Sequence, residues 1–232
     1  MNLPLIELLK QQSSIAHPIV AVGEETLFSP IDLSSKNIHL NHEVVNDIHL
    51  FENYISSCLK EKNASFLIGG YLEYRALYGR SEVFDASDMR SERRLHIGLD
   101  IWGPADTPVY APLDGIIHSF ADNNVKGDYG ATIILKHEID GIEFHSLYGH
   151  LSKADLHCTK GEVIKKGSML AHFGDHHENG YWPPHLHFQL IENMQGMEGD
   201  YPGVCSLLDK EFYQSNCPDP NLLLNIQSIA MS

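Results

Sequence analysis

The chain has 232 residues, 43% apolar and 20% charged, which is enough apolar length for a sizeable core without covalent staples and excludes a disordered chain. Sixteen Lys and Arg against 31 Asp and Glu leave a formal charge of −15, which repels phosphate backbones and anionic lipid. Nucleic acid and membrane are therefore not expected as partners.

Apolar positions at helical spacing predict helices over 3–12 and 44–62, the second through Val44, Val45, Ile48, Phe51, Ile55 and Leu59. Glu7 interrupts the first apolar stretch and no basic run precedes it, so neither a secretory signal nor a spanning helix is expected, and the chain reads as cytoplasmic. Between the helices, HPIVAV (17–22) reads as a short strand and SPIDLSSKN (29–37) as loop. The aromatic-rich stretch 66–84, punctuated by Gly69, Gly70 and Gly79, reads as packed. Residues 1–93 are thus expected to form a helical and mixed accessory region packed on the core that begins at residue 94.

From residue 95 the runs become short and β-branched: VYAP, GIIHSF, ATIILKH, IEFHSLYGH, EVIKKGSMLAHF and HLHFQLI. Turn pairs such as Asp114-Gly115, Asp140-Gly141 and Lys166-Gly167 separate them. The expected fold is α+β, mostly β with N-terminal helices, with about six to eight strands in an antiparallel sandwich or half-open barrel over 94–195. Residues 196–232 read as an irregular covering segment in which Leu222 to Leu224 dock on a surface. Cys58, Cys158, Cys205 and Cys217 form no CxxC pair, which argues against a thiolate zinc knuckle or a redox dithiol and leaves reduced, partly buried thiols.

Histidine carries the chemistry: fifteen in all, eleven of them between His96 and His187. In Pro183-Pro184-His185-Leu186-His187-Phe188 the two imidazoles share one strand face about 7 Å apart, so one can ligate a metal while the other acts as base. Polar alternation on an exposed strand edge is the plain alternative. His96 and Asp100, in HIGLD, would stand roughly 13 Å apart on a straight strand. Joint ligation requires a bend, for which Gly98 supplies permitted angles; otherwise the motif is a surface loop. A His, Asp, His set suits zinc and leaves a fourth position for water, whose pKa zinc brings toward about 7, so hydrolysis is the natural reaction. His150 in LYGHLS and His185 are the candidates for moving the proton, with Tyr148 a candidate for orienting the carbonyl.

These motifs resemble the M23 zinc metallopeptidases, the family of lysostaphin-type cell-wall endopeptidases. HIGLD, TPVYAPLDGII, YGHLS and PHLHF match that family in order and spacing from about Arg94 to Ile191. The resemblance implies one zinc ion held by His96, Asp100 and His187, with His150 and His185 catalytic. It also implies a curved antiparallel sheet with the zinc in a groove, and a peptide or peptidoglycan-fragment substrate, often cut at glycine.

No wall-binding module is recognisable, and the segments 69–81 and 199–204 are not parts of the minimal peptidase; they wall the groove or block it. Insertion of Tyr71, Glu73 or Arg75 toward zinc would make the enzyme latent, so a non-catalytic, peptidase-like regulator is the alternative. A histidine phosphocarrier of similar barrel architecture is disfavoured by Asp100, because a phosphohistidine gains nothing from a neighbouring carboxylate. His118, His137, His145, His157 and His172 read as structural, and Asp175-His176-His177 as a solvated loop.

Overall fold

The computed structural model describes residues 3–75 and 91–226. In chain order it contains α1 (Leu3–Gln12), β1 (Phe28–Ile31), α2 (His42–Asn46), α3 (Ile48–Glu61), β2 (Phe66–Gly69), β3 (Leu95–His96), β4 (Leu99–Trp102) and β5 (Pro108–Tyr110). These are followed by β6 (Gly115–Asn123), β7 (Gly130–Ile139), β8 (Ile142–Leu151), β9 (Val163–Ile164), β10 (Met169–His172), β11 (His185–Ile191), β12 (Val204–Cys205), α4 (Lys210–Asn216) and α5 (Asn221–Leu224).

The expected helix over 44–62 is two helices. Asp47 has an extended backbone between them, and its carboxylate accepts from His49 N and Leu50 N, so it caps α3 at the cost of continuity. The strand expected over 17–22 is reduced to a single bridge from Val20 to Val109, whereas the expected loop contributes β1. Pro30 is tolerated there because among the described residues β1 is an edge strand paired with β2 alone. The C-terminal segment is also more regular than expected, with β12, α4 and α5. Its docking is as expected, for Leu223 is buried in the main core. Residues 76–84 of the stretch expected to pack lie outside the described residues.

Eight strands form one open sheet in the order β1-β2-β4-β11-β8-β7-β6-β9, antiparallel except for β1 with β2. The fold is thus mostly β, built on a large antiparallel sheet that does not close into a barrel. Both faces of the sheet are covered, so its central strands are apolar on both sides. Leu186, Phe188 and Leu190 of β11 join Tyr148, Phe144 and Leu135 in a cluster that also takes Leu5, Leu8 and Leu9 of α1. On the opposite face Ile191, Leu147 and Ile134 pack with Met194, Tyr201 and Cys217 from the C-terminal segment. The period-2 alternation puts His185, His187 and Gln189 on this second face. Among the described residues no helix is long and apolar enough to cross a membrane, and the four cysteines are unpaired.

Candidate metal centre

The bend that HIGLD requires is present: the chain leaves β3 at His96 and re-enters the sheet at Leu99 as β4. Gly98 is needed for a reason the spacing did not reveal. Its φ lies outside the left-handed region, but a Cβ there would stand 2.5 Å from His187 Nε2, so the glycine makes room for the ring. β11 runs antiparallel to β4 with His187 directly opposite Asp100. His96 Nε2 and His187 Nδ1 are 3.0 Å apart. Asp100 Oδ1 is 3.1 Å from each of them.

Three donors at these separations fit one ion, since a tetrahedron with bonds of ~2 Å has edges of roughly 3.3 Å. His96, Asp100 and His187 are all buried, and among the described residues no other cluster of three such donors lies as close together. The remaining heteroatom of each has a partner. His96 Nδ1 donates to Gly70 O at 3.0 Å, and His187 Nε2 donates to Gln189 Oε1 at 2.9 Å. Asp100 Oδ2 accepts from Arg75 Nη1 at 2.5 Å. The Gln189 amide is itself oriented, donating to Pro202 O. Each lone pair aimed into the triangle is therefore freed by a bond made behind it, as metal ligands require.

Burial, and then the Arg75 charge, push His96 down to about 4, so it is neutral at pH 7. Burial would raise the Asp100 carboxyl, but its cationic neighbours outweigh it and hold it well below the usual range. Arg75 supplies that at neutral pH, because His96 is uncharged there. Two imidazoles and one carboxylate are a donor set suited to zinc.

His150 and His185 lie beside this triangle. Tyr148 pairs with Ile133 and Leu151 with Ala131, so β8 carries one residue more than β7 between them. This bulge, with His150 at φ 63°, reverses the alternation. Tyr148 stays in the core behind the sheet while His150 faces the cleft, although the two are i and i+2. The His150 and His185 rings are 4.1 Å apart, and His185 stacks on Trp102 at 3.8 Å. His150 Nδ1 donates to Asn179 O and His185 Nδ1 to Pro183 O, both at 2.8 Å, which leaves Nε2 of each with its lone pair. Burial pushes His185 down to about 4 and His150 well below the ordinary imidazole range. A cavity of about 210 Å³ opens onto Asp100, His150, His185 and His187, walled by Tyr129 and Trp182.

Residues 94–198 match the family described as peptidase family M23. They are an M23 domain. The DD-carboxypeptidase/endopeptidase Mpg of Neisseria meningitidis serogroup B is 38% identical over 106 residues, 44% of this chain and 21% of that protein. The peptidoglycan DD-endopeptidase ShyA of Vibrio cholerae is 29% identical over 122 residues, 51% of this chain and 26% of its own length. The chain spans about a quarter of the length of the curated relatives it matches. Among solved structures, the catalytic domain of lysostaphin from Staphylococcus simulans is 28% identical, covering 52% of this chain and 80% of that one with a TM-score of 0.37.

Tyr148 does not serve the M23 cleft; it is fully buried, with its hydroxyl on Ser146. Tyr129 is the tyrosine that lines it, its hydroxyl 3.4 Å from His187 Nε2. Gly149 and Gly203 let this ring approach, since a Cβ at either would collide with it. Of the three flanking residues whose insertion toward the metal would make the enzyme latent, Tyr71 turns away, donating to Cys217 O at 2.6 Å. Glu73 accepts from Leu33 N and from Arg75 Nε, and Arg75 alone reaches Asp100. Among the other histidines, His137 is buried and bonded to Asp114 O, His172 pairs with Asp155, and His176 ties its loop to Glu52 of α3.

Proposed function

We propose that this chain is a zinc-dependent metalloendopeptidase that hydrolyses a bond in a peptidoglycan-type or glycine-containing peptide. The reading is carried by one observation: two imidazole Nε2 lone pairs, of His150 and His185, border the cavity onto which Asp100 and His187 open. Zinc supplies Lewis acidity toward a carbonyl oxygen and lowers the pKa of water toward about 7. His150 or His185, neutral at pH 7, takes a proton from the attacking water at Nε2. The Nδ1–H bond to a backbone carbonyl keeps the ring oriented and stabilises the imidazolium. That imidazolium then offers Nε2–H to the oxyanion and passes the proton to the leaving amine. With rings 4.1 Å apart, one proton between the two is favoured over two, which suits a base that becomes an acid within one turnover.

The name of the Vibrio relative supports a peptidoglycan substrate. The test is metal analysis of the purified chain, followed by hydrolysis of glycine-containing peptides and isolated wall fragments with and without a chelator. Stoichiometric zinc and chelator-sensitive cleavage are expected; a metal-free protein, or cleavage indifferent to the chelator, refutes the reading.

A further inference from the structure

Two of the three donors take their outer partners from residues that precede the M23 domain: Gly70 O for His96 and Arg75 for Asp100. Arg75 is a fully buried cation, 1% exposed, held from several directions. Its backbone N donates to Arg94 O, and its Nε to Glu73 Oε2 at 2.7 Å. Glu73 is anchored in turn by Leu33 N at 3.0 Å. The guanidinium also lies against Gly69 of β2, where a Cβ would stand 2.7 Å from Nη2.

We propose that Arg75 is a positioning residue of the metal centre, holding Asp100 Oδ2 so that Oδ1 completes the donor triangle. This rests on reading His96, Asp100 and His187 as metal ligands. The terminal torsion of an aspartate is broad, so an unheld carboxylate does not present one oxygen in one place. The charge-assisted bond from Arg75 Nη1 fixes it, because the planar guanidinium is itself held at Nε by Glu73. A lone cation beside a dication would repel it, but Glu73 on the same guanidinium offsets that charge. Nor is Arg75 a plug: it meets Asp100 on Oδ2, while the triangle closes on Oδ1. The accessory region is on this account part of the metal centre.

The test is zinc affinity of the full-length chain, measured by competition with a chromogenic chelator. Arg75→Met is expected to weaken zinc binding by roughly 10- to 100-fold, and Arg75→Lys to recover part of the loss. Gly69→Ala, which pushes the guanidinium aside and removes no charge, is expected to weaken binding as well. The double variant should bind no worse than Arg75→Met alone, since both act through one group. Cobalt bound in place of zinc should show a shifted visible spectrum in Arg75→Met, a readout that a loss of stability alone would not move. Arg75→Met binding zinc within about twofold of wild type overturns the proposal; if that variant does not fold, Gly69→Ala with wild-type affinity does so. A wild-type chain that takes up no zinc overturns the metal-centre reading itself, so the two failures are distinguishable.

Discussion

Gly98→Ala adds one methyl group and no charge, yet it is expected to disable the candidate metal centre. The new Cβ would stand 2.5 Å from His187 Nε2, closer still to Cε1, and 3.0 Å from Phe188 O. Ordinary contact begins at 3.4 Å, so the ring must retreat by about 0.9 Å or the strand must part. Metal–ligand distances tolerate only ~0.2 Å. The methyl presses on the edge of the ring that bonds Gln189, so both the outer bond of His187 and its place in the triangle are lost together. Loss of an outer partner alone costs about 10- to 100-fold in metal affinity, and displacement of the ligand itself should reach or exceed the upper end. The assay is zinc titration against a competing chelator, with near-ultraviolet circular dichroism to establish that the variant is folded. A folded Gly98→Ala chain with wild-type zinc affinity would refute the role given to this glycine.

His150→Ala should retain zinc while turnover falls by about 10²- to 10⁴-fold, whereas His187→Ala should lose the metal; normal turnover in the first variant would remove His150 from the mechanism. Burial pushes His137 down to about 4, so below pH 6.5 the unfolded chain takes up a proton that the native ring refuses, and stability falls with pH. At ~1.4 kcal/mol per pH unit the loss approaches roughly 3 kcal/mol near pH 4, and His137→Gln should flatten the urea midpoint between pH 7 and 4.5; an unchanged pH dependence sinks this assignment. Leu9→Ala removes a fully buried side chain through which α1 joins the main core, and should cost about 2–5 kcal/mol within a single melting transition. An unaffected melt would mean that α1 detaches independently.

Much of the sheet was legible because β6, β7, β8 and β11 are apolar runs of seven to ten residues set apart by turns rich in Gly or Pro. β4, although central, was not: it is four residues long and merges with the motif that precedes it. β1 was hidden by Pro30, which reads as a strand breaker unless the edge position is known. The donor candidates were visible as residue types at suggestive spacings, but their outer partners were not. Gly70 O, Asn179 O and Pro183 O are backbone carbonyls, which carry no sequence signature. Tyr148, expected near the carbonyl, lies behind the sheet because the bulge at Gly149–His150 reverses the alternation between it and His150. The positive φ of a non-glycine residue there has no marker beyond the preceding glycine.

Four imidazoles meet at this site, three of them (His150, His185 and His187) bordering the cleft, and which nitrogen each leaves free depends on the strand that carries it. His96, His150 and His185 all donate through Nδ1 to a carbonyl of a neighbouring loop, so their lone pairs lie on Nε2, the nitrogen farther from the backbone. His187 is reversed: Nε2 is held by Gln189 and Nδ1 is free. Asp100 is its direct cross-strand neighbour, and a lone pair on Nδ1, close to the backbone, meets Oδ1 at 3.1 Å, where an Nε2 lone pair would overshoot it. Gln189 can hold that ring because it lies two residues on, on the same face of β11, with its own amide fixed by Pro202 O from the C-terminal segment. The single reversed tautomer thus ties the candidate metal centre to the segment C-terminal to the M23 sheet, as Gly70 and Arg75 tie it to the segment N-terminal to it. Cutting either tie by a point substitution, Gln189→Leu on one side or Arg75→Met on the other, should lower the metal affinity while the strands of the sheet stay in place.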